Sequence, residues 1–250
     1  MSNSRGFSLI ELAVALAIIA LLIAGALLPL STQIEVRNTA DTRRSMDSIR
    51  EAMIGFAQVN GRLPCAADGT IPAGGANAGQ EACPSTSGVV PWAALGVPET
   101  DSWGRRFSYW VSPIFSDAVG TTFGCTPVPA PTQSSFALCS QGVLTVNTRN
   151  EGTHVASALG SVLPAVIISH GKNGRGAYTP SGALLAAPVG ADEAANATLA
   201  ATTFYSRPPT QAASPCNDAA GPAFCEFDDI VMMITSNALI ARMVAAGKLP

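Results

Sequence analysis

A single carboxylate, Glu11, stands at the mouth of an apolar run that extends from residue 12 to residue 30 without a formal charge. A charged side chain inside a spanning helix costs about 2.5–3.5 kcal/mol on insertion scales, so Glu11 is read as functional. Other reactive groups are sparse. Cys65, Cys83, Cys125, Cys139, Cys216 and Cys225 form three local pairs flanked by Pro, Gly or Ser. An even count in such settings of an exported chain reads as a disulfide framework. The local set 65–83, 125–139 and 216–225 is expected, because each pair brackets a Pro/Gly-rich loop. Closing a loop of about 15 residues stabilises by ~3 kcal/mol in the chain-entropy model. Zinc is the rival reading, but there is no CxxC and the only histidines are His154 and His170. Ser169 and His170 adjoin in a Gly-rich stretch, yet the chain has no GxSxG elbow, and a nucleophile needs a placed base and a third orienting group. The order His170-Gly171-Lys172-Asn173-Gly174-Arg175-Gly176 is wrong for a phosphate-binding P-loop and right for a glycine-rich turn. No catalytic residue, cofactor or metal is assigned.

These groups must be positioned by a chain of 250 residues, 48% hydrophobic and 12% charged, with net charge −3. The mild acidity supplies no basic stripe to neutralise phosphates, which excludes nucleic acid as an evident partner. Residues 12–30 would rise about 28 Å as a helix, close to the ~30 Å hydrocarbon core of a bilayer. Three readings of the N-terminus compete. Ala24-Gly25-Ala26 has the form of a signal-peptidase site and Arg5 provides a minimal positive region, but the apolar run exceeds the hydrophobic region of a secretory signal. A plain single-span anchor would leave Glu11 in the headgroup zone. A processed anchor gives Glu11 a role. Gly25 and Pro29 interrupt the run, and a kink is expected there. Arg37, Arg43 and Arg44 follow the span while Arg5 alone precedes it. Taken by itself, that bias favours a cytoplasmic C-terminal side. The cysteines override it, because disulfides require an oxidising compartment and long domains translocate largely regardless of charge.

Helical spacing continues past the span. Met46, Ile49, Met53 and Phe56 form one apolar stripe, with Gly61 and Pro64 as stop signals. One helix is expected over residues 8–60, its second half amphipathic from residue 31. Strands are expected at 107–111, 143–146, 165–169, 203–206 and 227–234. Residues 180–202 read as a loosely patterned surface excursion. Ser236 is placed as the cap of a final helix with Leu239, Ile240, Met243 and Val244 on one face. Helix and antiparallel strand together give an α+β head over 61–250.

The stretch Gly6-Phe7-Ser8-Leu9-Ile10-Glu11-Leu12 resembles the processing and methylation signal of type IV pilins and of type II secretion pseudopilins. The resemblance implies a prepilin peptidase that cuts after Gly6, N-methylation of Phe7, and a filament-assembly role for Glu11. It implies an α+β fold in which a long N-terminal helix packs on an antiparallel sheet bearing disulfide-bridged loops. The implied layout is a leader at 1–6, a membrane and filament-core half of the helix at 7–30, an amphipathic half at 31–60 and a periplasmic head at 61–250. The implied partners are other pilin or pseudopilin subunits and an assembly machinery in the bacterial inner membrane. Asp101-Ser102-Trp103-Gly104 with Tyr109 is similar to the helix-to-sheet segment of pseudopilins, and Ser169-His170-Gly171-Lys172-Asn173-Gly174 to a turn found there. Asp228-Asp229-Ile230 resembles an acidic pair that can help bind calcium in major pseudopilins, but few acidic residues lie nearby in sequence. The alternative is an anchored periplasmic binding protein, adhesin or enzyme that joins no filament.

Overall fold

The computed structural model describes residues 8–118 and 133–249; the side chains of 22–31, within the first helix, fall outside that description. The chain divides into two compact units, one ending at Asp41 and one beginning at Thr42.

Helix α1 runs over Leu9–Asn60. The kink expected at Pro29 falls within the stretch whose side chains are not described. Its C-terminal stop is glycine chemistry: Gly61 adopts φ 72° and its amide donates to Ala57 O at 2.8 Å. In the second unit the buried stripe of α1 is Met46, Ile49, Met53, Ile54 and Ala57. Phe56, expected on that stripe, is only half-buried, with the Arg62 guanidinium over its ring at 5.4 Å. Ile54 and Ala57 take its place because the helix surface facing the sheet is wider than a strict three-four seam.

The strands are β1 (Ser87–Val89), β2 (Ser108–Val111), β3 (Leu144–Arg149), β4 (Ala156–Leu163), β5 (Ala165–Ser169), β6 (Thr203–Tyr205) and β7 (Ile230–Ile234). They form two sheets, ordered β1-β2-β5-β7 and β4-β3-β6. The first is antiparallel throughout. The second is mixed, since β3 pairs with β6 in parallel. Strand alternation explains the two cores. From β2 and β5, Tyr109, Val111, Ala165 and Ile167 join Met46, Ile49 and Met53 of α1. Trp110, Val166 and Ile168 point the other way and join Leu144, Val146, Leu163 and Phe204 of the second sheet. Buried on both faces, these central strands read as continuous apolar runs.

Among the described residues four further helices are short: α2 (Trp92–Leu95), α3 (Pro113–Ser116), α4 (Ala191–Ala197) and α5 (Ser236–Ala245). Helix α4 lies inside the stretch expected to be irregular. Thr235, not Ser236, occupies the cap position of α5, and Ser236 Oγ donates to Val162 O at 3.1 Å. Leu239 and Met243 are buried as expected, but Val244 is exposed.

Candidate functional site

The first candidate is the start of α1. Ser8 Oγ accepts a hydrogen bond from Ile10 N at 3.3 Å, and Glu11 Oε2 accepts one from Ser8 N at 2.9 Å. A serine at the cap and a glutamate three residues on thereby satisfy two amides that the helix leaves without partners. Glu11 thus has a local task, which the Ser-x-x-Glu spacing carries in the sequence and which the reading above did not use. Around it the helix is apolar on every side. Leu9, Ile10, Leu12, Val14, Leu16, Ile18, Ile19 and Leu21 are all exposed, Leu9 to 88%. Ile10, Val14, Ala15 and Ile18 flank Glu11 in a shallow groove with almost no polar lining. So much uncovered apolar surface suits burial in lipid or among other helices. Among the described residues no helix is long and apolar enough to cross a membrane; the expected span, 12–30, runs into the side chains that are not described. Gly6 and Phe7 lie outside the described residues.

The second candidate sits in the head where β5 ends and β7 begins. Ser169 Oγ donates to Asp101 Oδ2 at 2.7 Å, while Asp101 Oδ1 accepts from the amides of Trp103 and Arg105. The Asp101–Gly104 turn is thereby pinned to the end of β5. Next in the chain, His170 Nε2 lies 2.8 Å from Ser108 Oγ, and its Nδ1 lies 3.6 Å from Asp229 Oδ1. Serine, histidine and aspartate stand here in the order of a hydrolase triad. Ser108, His170 and Asp229 are 4%, 0% and 7% exposed, so a substrate has no path to the hydroxyl. The group is a piece of core in which Ser108 and His170 share a hydrogen bond and Asp229 stands beyond hydrogen-bond reach of the ring. Ser108, rather than the neighbouring Ser169, partners His170 because the β2–β5 register sets Ser108 opposite Ile168.

Against this group lies an acidic cluster. Glu193 of α4 and the Asp228-Asp229 pair bring carboxylate oxygens within 4.8 Å of one another. Glu193 Oε1 accepts from Asp228 N and Asn173 Nδ2, and Asp228 Oδ2 accepts from Asn173 N. Asp228 Oδ1, Asp229 Oδ1 and His170 Nδ1 are buried without a hydrogen-bond partner. Burial, then the charge of Asp229, pushes the Glu193 carboxyl up to about 7. Burial, with the charges of Asp229 and Glu226, raises Asp228 to about 6. Three carboxylates, of which Asp228 and Asp229 each keep an unpartnered oxygen, suit a hard divalent cation such as calcium, which takes 6–8 oxygens and would need backbone or water to complete its shell. Sequence reasoning had the aspartates and missed Glu193, because α4 itself was not expected.

Residues 1–27 match the family model described as the prokaryotic N-terminal methylation motif. The chain carries a type IV pilin/pseudopilin-type prepilin signal. No curated protein and no solved structure matches it. The prepilin signal supports a pilin-like prepilin-peptidase substrate and points to a structural protein. It implies membrane anchoring before assembly with other pilin subunits.

Behind the prepilin signal, an α+β body with an N-terminal helix and an antiparallel sheet is consistent with a pilin-like fold. Disulfides join Cys65 to Cys83 and Cys216 to Cys225. Cys139 is also disulfide-bonded, and Cys125 lies outside the described residues. Cys65 and Cys83 lie close to Glu81 in a ligand-like group, but a disulfide leaves them no thiolate for a metal. Each of the two described bridges adjoins an ion pair. Arg62 forks onto both oxygens of Glu81 at 2.8 and 2.9 Å. Near the second bridge, buried Arg207 donates to Asp192 and Asp218 at 3.0 Å each and lies over the rings of Phe224 and Phe227.

Proposed function

We propose that this chain is a structural filament subunit: cleaved after Gly6, N-methylated at Phe7, and assembled through α1 into a type IV pilus or a type II secretion pseudopilus. Before assembly, residues 7–30 anchor it once in the bacterial inner membrane, with the N-terminus cytoplasmic and residues 61–250 in the periplasm. The size of the head and its bridged loops favour a minor subunit. The observation that carries the reading is the prepilin signal running directly into a helix whose apolar side chains have no cover of their own.

The assembly step follows from the two bonds at the start of α1. In the free chain Glu11 is held by its own Ser8 amide. After cleavage, Phe7 is the amino terminus, and its methylated ammonium on a neighbouring subunit offers Glu11 a full positive charge. Opening the cap costs about 0.5–2 kcal/mol. A charge pair strengthens steeply once lipid and neighbouring helices exclude water, so the exchange favours the intersubunit bond in the assembled state only. Glu11 therefore registers each helix against the next. Glu11→Ala should leave the head folded and abolish incorporation into filaments in a shear or crosslinking assay. Normal incorporation of that variant would remove the mechanism.

A further inference from the structure

We propose that Cys83 is a modification site at which a small external thiol forms a mixed disulfide, with Cys65 as the leaving sulfur. The site is independent of Glu11 and of the prepilin signal.

The two sulfurs of this bridge differ in access and in charge. Cys83 is exposed, whereas Cys65 is 1% exposed. Arg62 Nη1 stands 4.0 Å from Cys65 Sγ, and Glu81 Oε2 stands 3.7 Å from Cys83 Sγ. Arg62, Cys65, Cys83, Pro84, Thr86 and Ser116 line an open cleft of about 590 Å³, within the size range of small-molecule sites. An incoming thiolate therefore reaches Cys83 first. The guanidinium stabilises a thiolate on Cys65 and the carboxylate opposes one on Cys83, so Cys65 is the sulfur that leaves. In the other described bridge Cys225 is buried and Cys216 half-buried, so neither sulfur offers the same access.

The step exchanges one sulfur–sulfur bond for another. The external thiolate bonds to Cys83 Sγ, the Cys65–Cys83 bond breaks, and its electron pair stays on Cys65, which pairs with Arg62 or takes a proton from water. The external sulfur is oxidised and Cys65 is reduced, so no further oxidant is needed. As a thiol, Cys65 has Ser116 O at 3.8 Å to accept its hydrogen bond. The reverse attack, by Cys65 on Cys83, releases the small thiol and restores the bridge. The fold keeps that return available without the covalent link. Ala82 N donates to Ala66 O at 3.0 Å, Cys65 N donates to Glu81 Oε2 at 3.1 Å, and Arg62 forks onto Glu81. These contacts hold Cys65 beside the 81–83 segment, so the bridge opens and closes on a loop that stays in place.

The test uses the full oxidised chain in detergent, with excess reduced glutathione at pH 8 as the probe. Early samples are quenched with N-ethylmaleimide in denaturant and their peptides mapped by mass spectrometry. Glutathione on Cys83 with alkylated Cys65 should exceed the reverse placement, and adducts on Cys216 or Cys225, at least about tenfold. Arg62→Gln should slow adduct formation about fivefold, because the leaving thiolate loses its cation. A variant that merely loosened the loop would react faster instead. Dilution out of glutathione should restore the Cys65–Cys83 bridge, with the thermal unfolding of the head unchanged. A head that takes no glutathione at Cys83, carries it equally on Cys65, fails to re-form the bridge, or reacts no slower as Arg62→Gln would overturn the proposal. Glu11→Ala, which stops filament assembly, should change none of these readouts, so the two ideas fail separately.

Discussion

The segment before Asp41 and the head after Thr42 solve opposite problems with their side chains. In the first, Leu9, Leu16 and Leu21 are each more than half exposed, and the described acid at its start is held only by a cap. In the second, charges themselves are buried: Arg106 is fully enclosed, bound to Glu99 and the carbonyls of Gly69, Ile71 and Pro180, and Arg207 is clasped by Asp192 and Asp218. Outside the Glu193, Asp228 and Asp229 cluster, the head buries its charges in pairs and is finished by its own fold. A region that exposes its leucines is finished by a partner. Energetic perturbations should therefore fall on stability in the head and on assembly in the helix.

The largest effect expected is in the head. Arg207→Ala leaves Asp218 buried without its cation, while Asp192 keeps Arg149 at 2.8 Å, and a loss of about 3–5 kcal/mol is expected by the behaviour of broken buried pairs. Denaturant unfolding of the full chain in detergent checks it, and a loss below about 1 kcal/mol would show that water replaces the arginine. Met53→Ala opens a cavity between α1 and the sheet and should cost about 2–4 kcal/mol by the same measurement. Leu16→Ala, an equal truncation on the exposed helix, should leave head unfolding within about 0.5 kcal/mol and instead reduce filament incorporation. A Leu16→Ala variant that destabilises the head as Met53→Ala does would erase the contrast.

The smallest effect is the most specific. Glu193 and Asp228 have carboxyls raised in the folded head above their ordinary values. For such groups the fold holds its proton longer than the unfolded chain does. Their contribution is fully favourable at low pH and is lost as pH rises from about 4 toward 7. Glu193→Gln should flatten the fall in melting temperature between pH 5 and 8 measured in chelator. Calcium added to the natural chain at pH 8 should raise its melting temperature, and should raise that of Glu193→Gln less. An unchanged pH slope in the variant would mean that the cluster does not carry the titration.

The contrast also sorts what was legible in advance. Helix α1 was readable to within a residue, because a long apolar run followed by period-3.6 spacing and a Gly-Pro stop is decisive local information. The 65–83 and 216–225 bridges followed from loops short enough to be local. Strand β5 was readable as five consecutive apolar or small residues. Helix α4 was not, since the faces it buries are Asp192, Glu193 and Asn196, which no hydrophobic pattern reveals. The two-sheet arrangement was hidden for a related reason: a strand covered on both faces loses the alternation that would announce its sides. Ser108 beside His170 depended on cross-strand register, a long-range fact. Helix α1 and its signal were written locally; the polar clusters of the head were written only in three dimensions.

The central claim is that Glu11 exists to meet a modified amino terminus made by removal of the first six residues. Mass spectrometry of the mature N-terminus, on protein from its native host, tests this most directly. The account predicts a chain that begins at Phe7 and carries a methyl group on its α-amine. An intact Met1 or Ser2, or a chain beginning at Leu27, would contradict it.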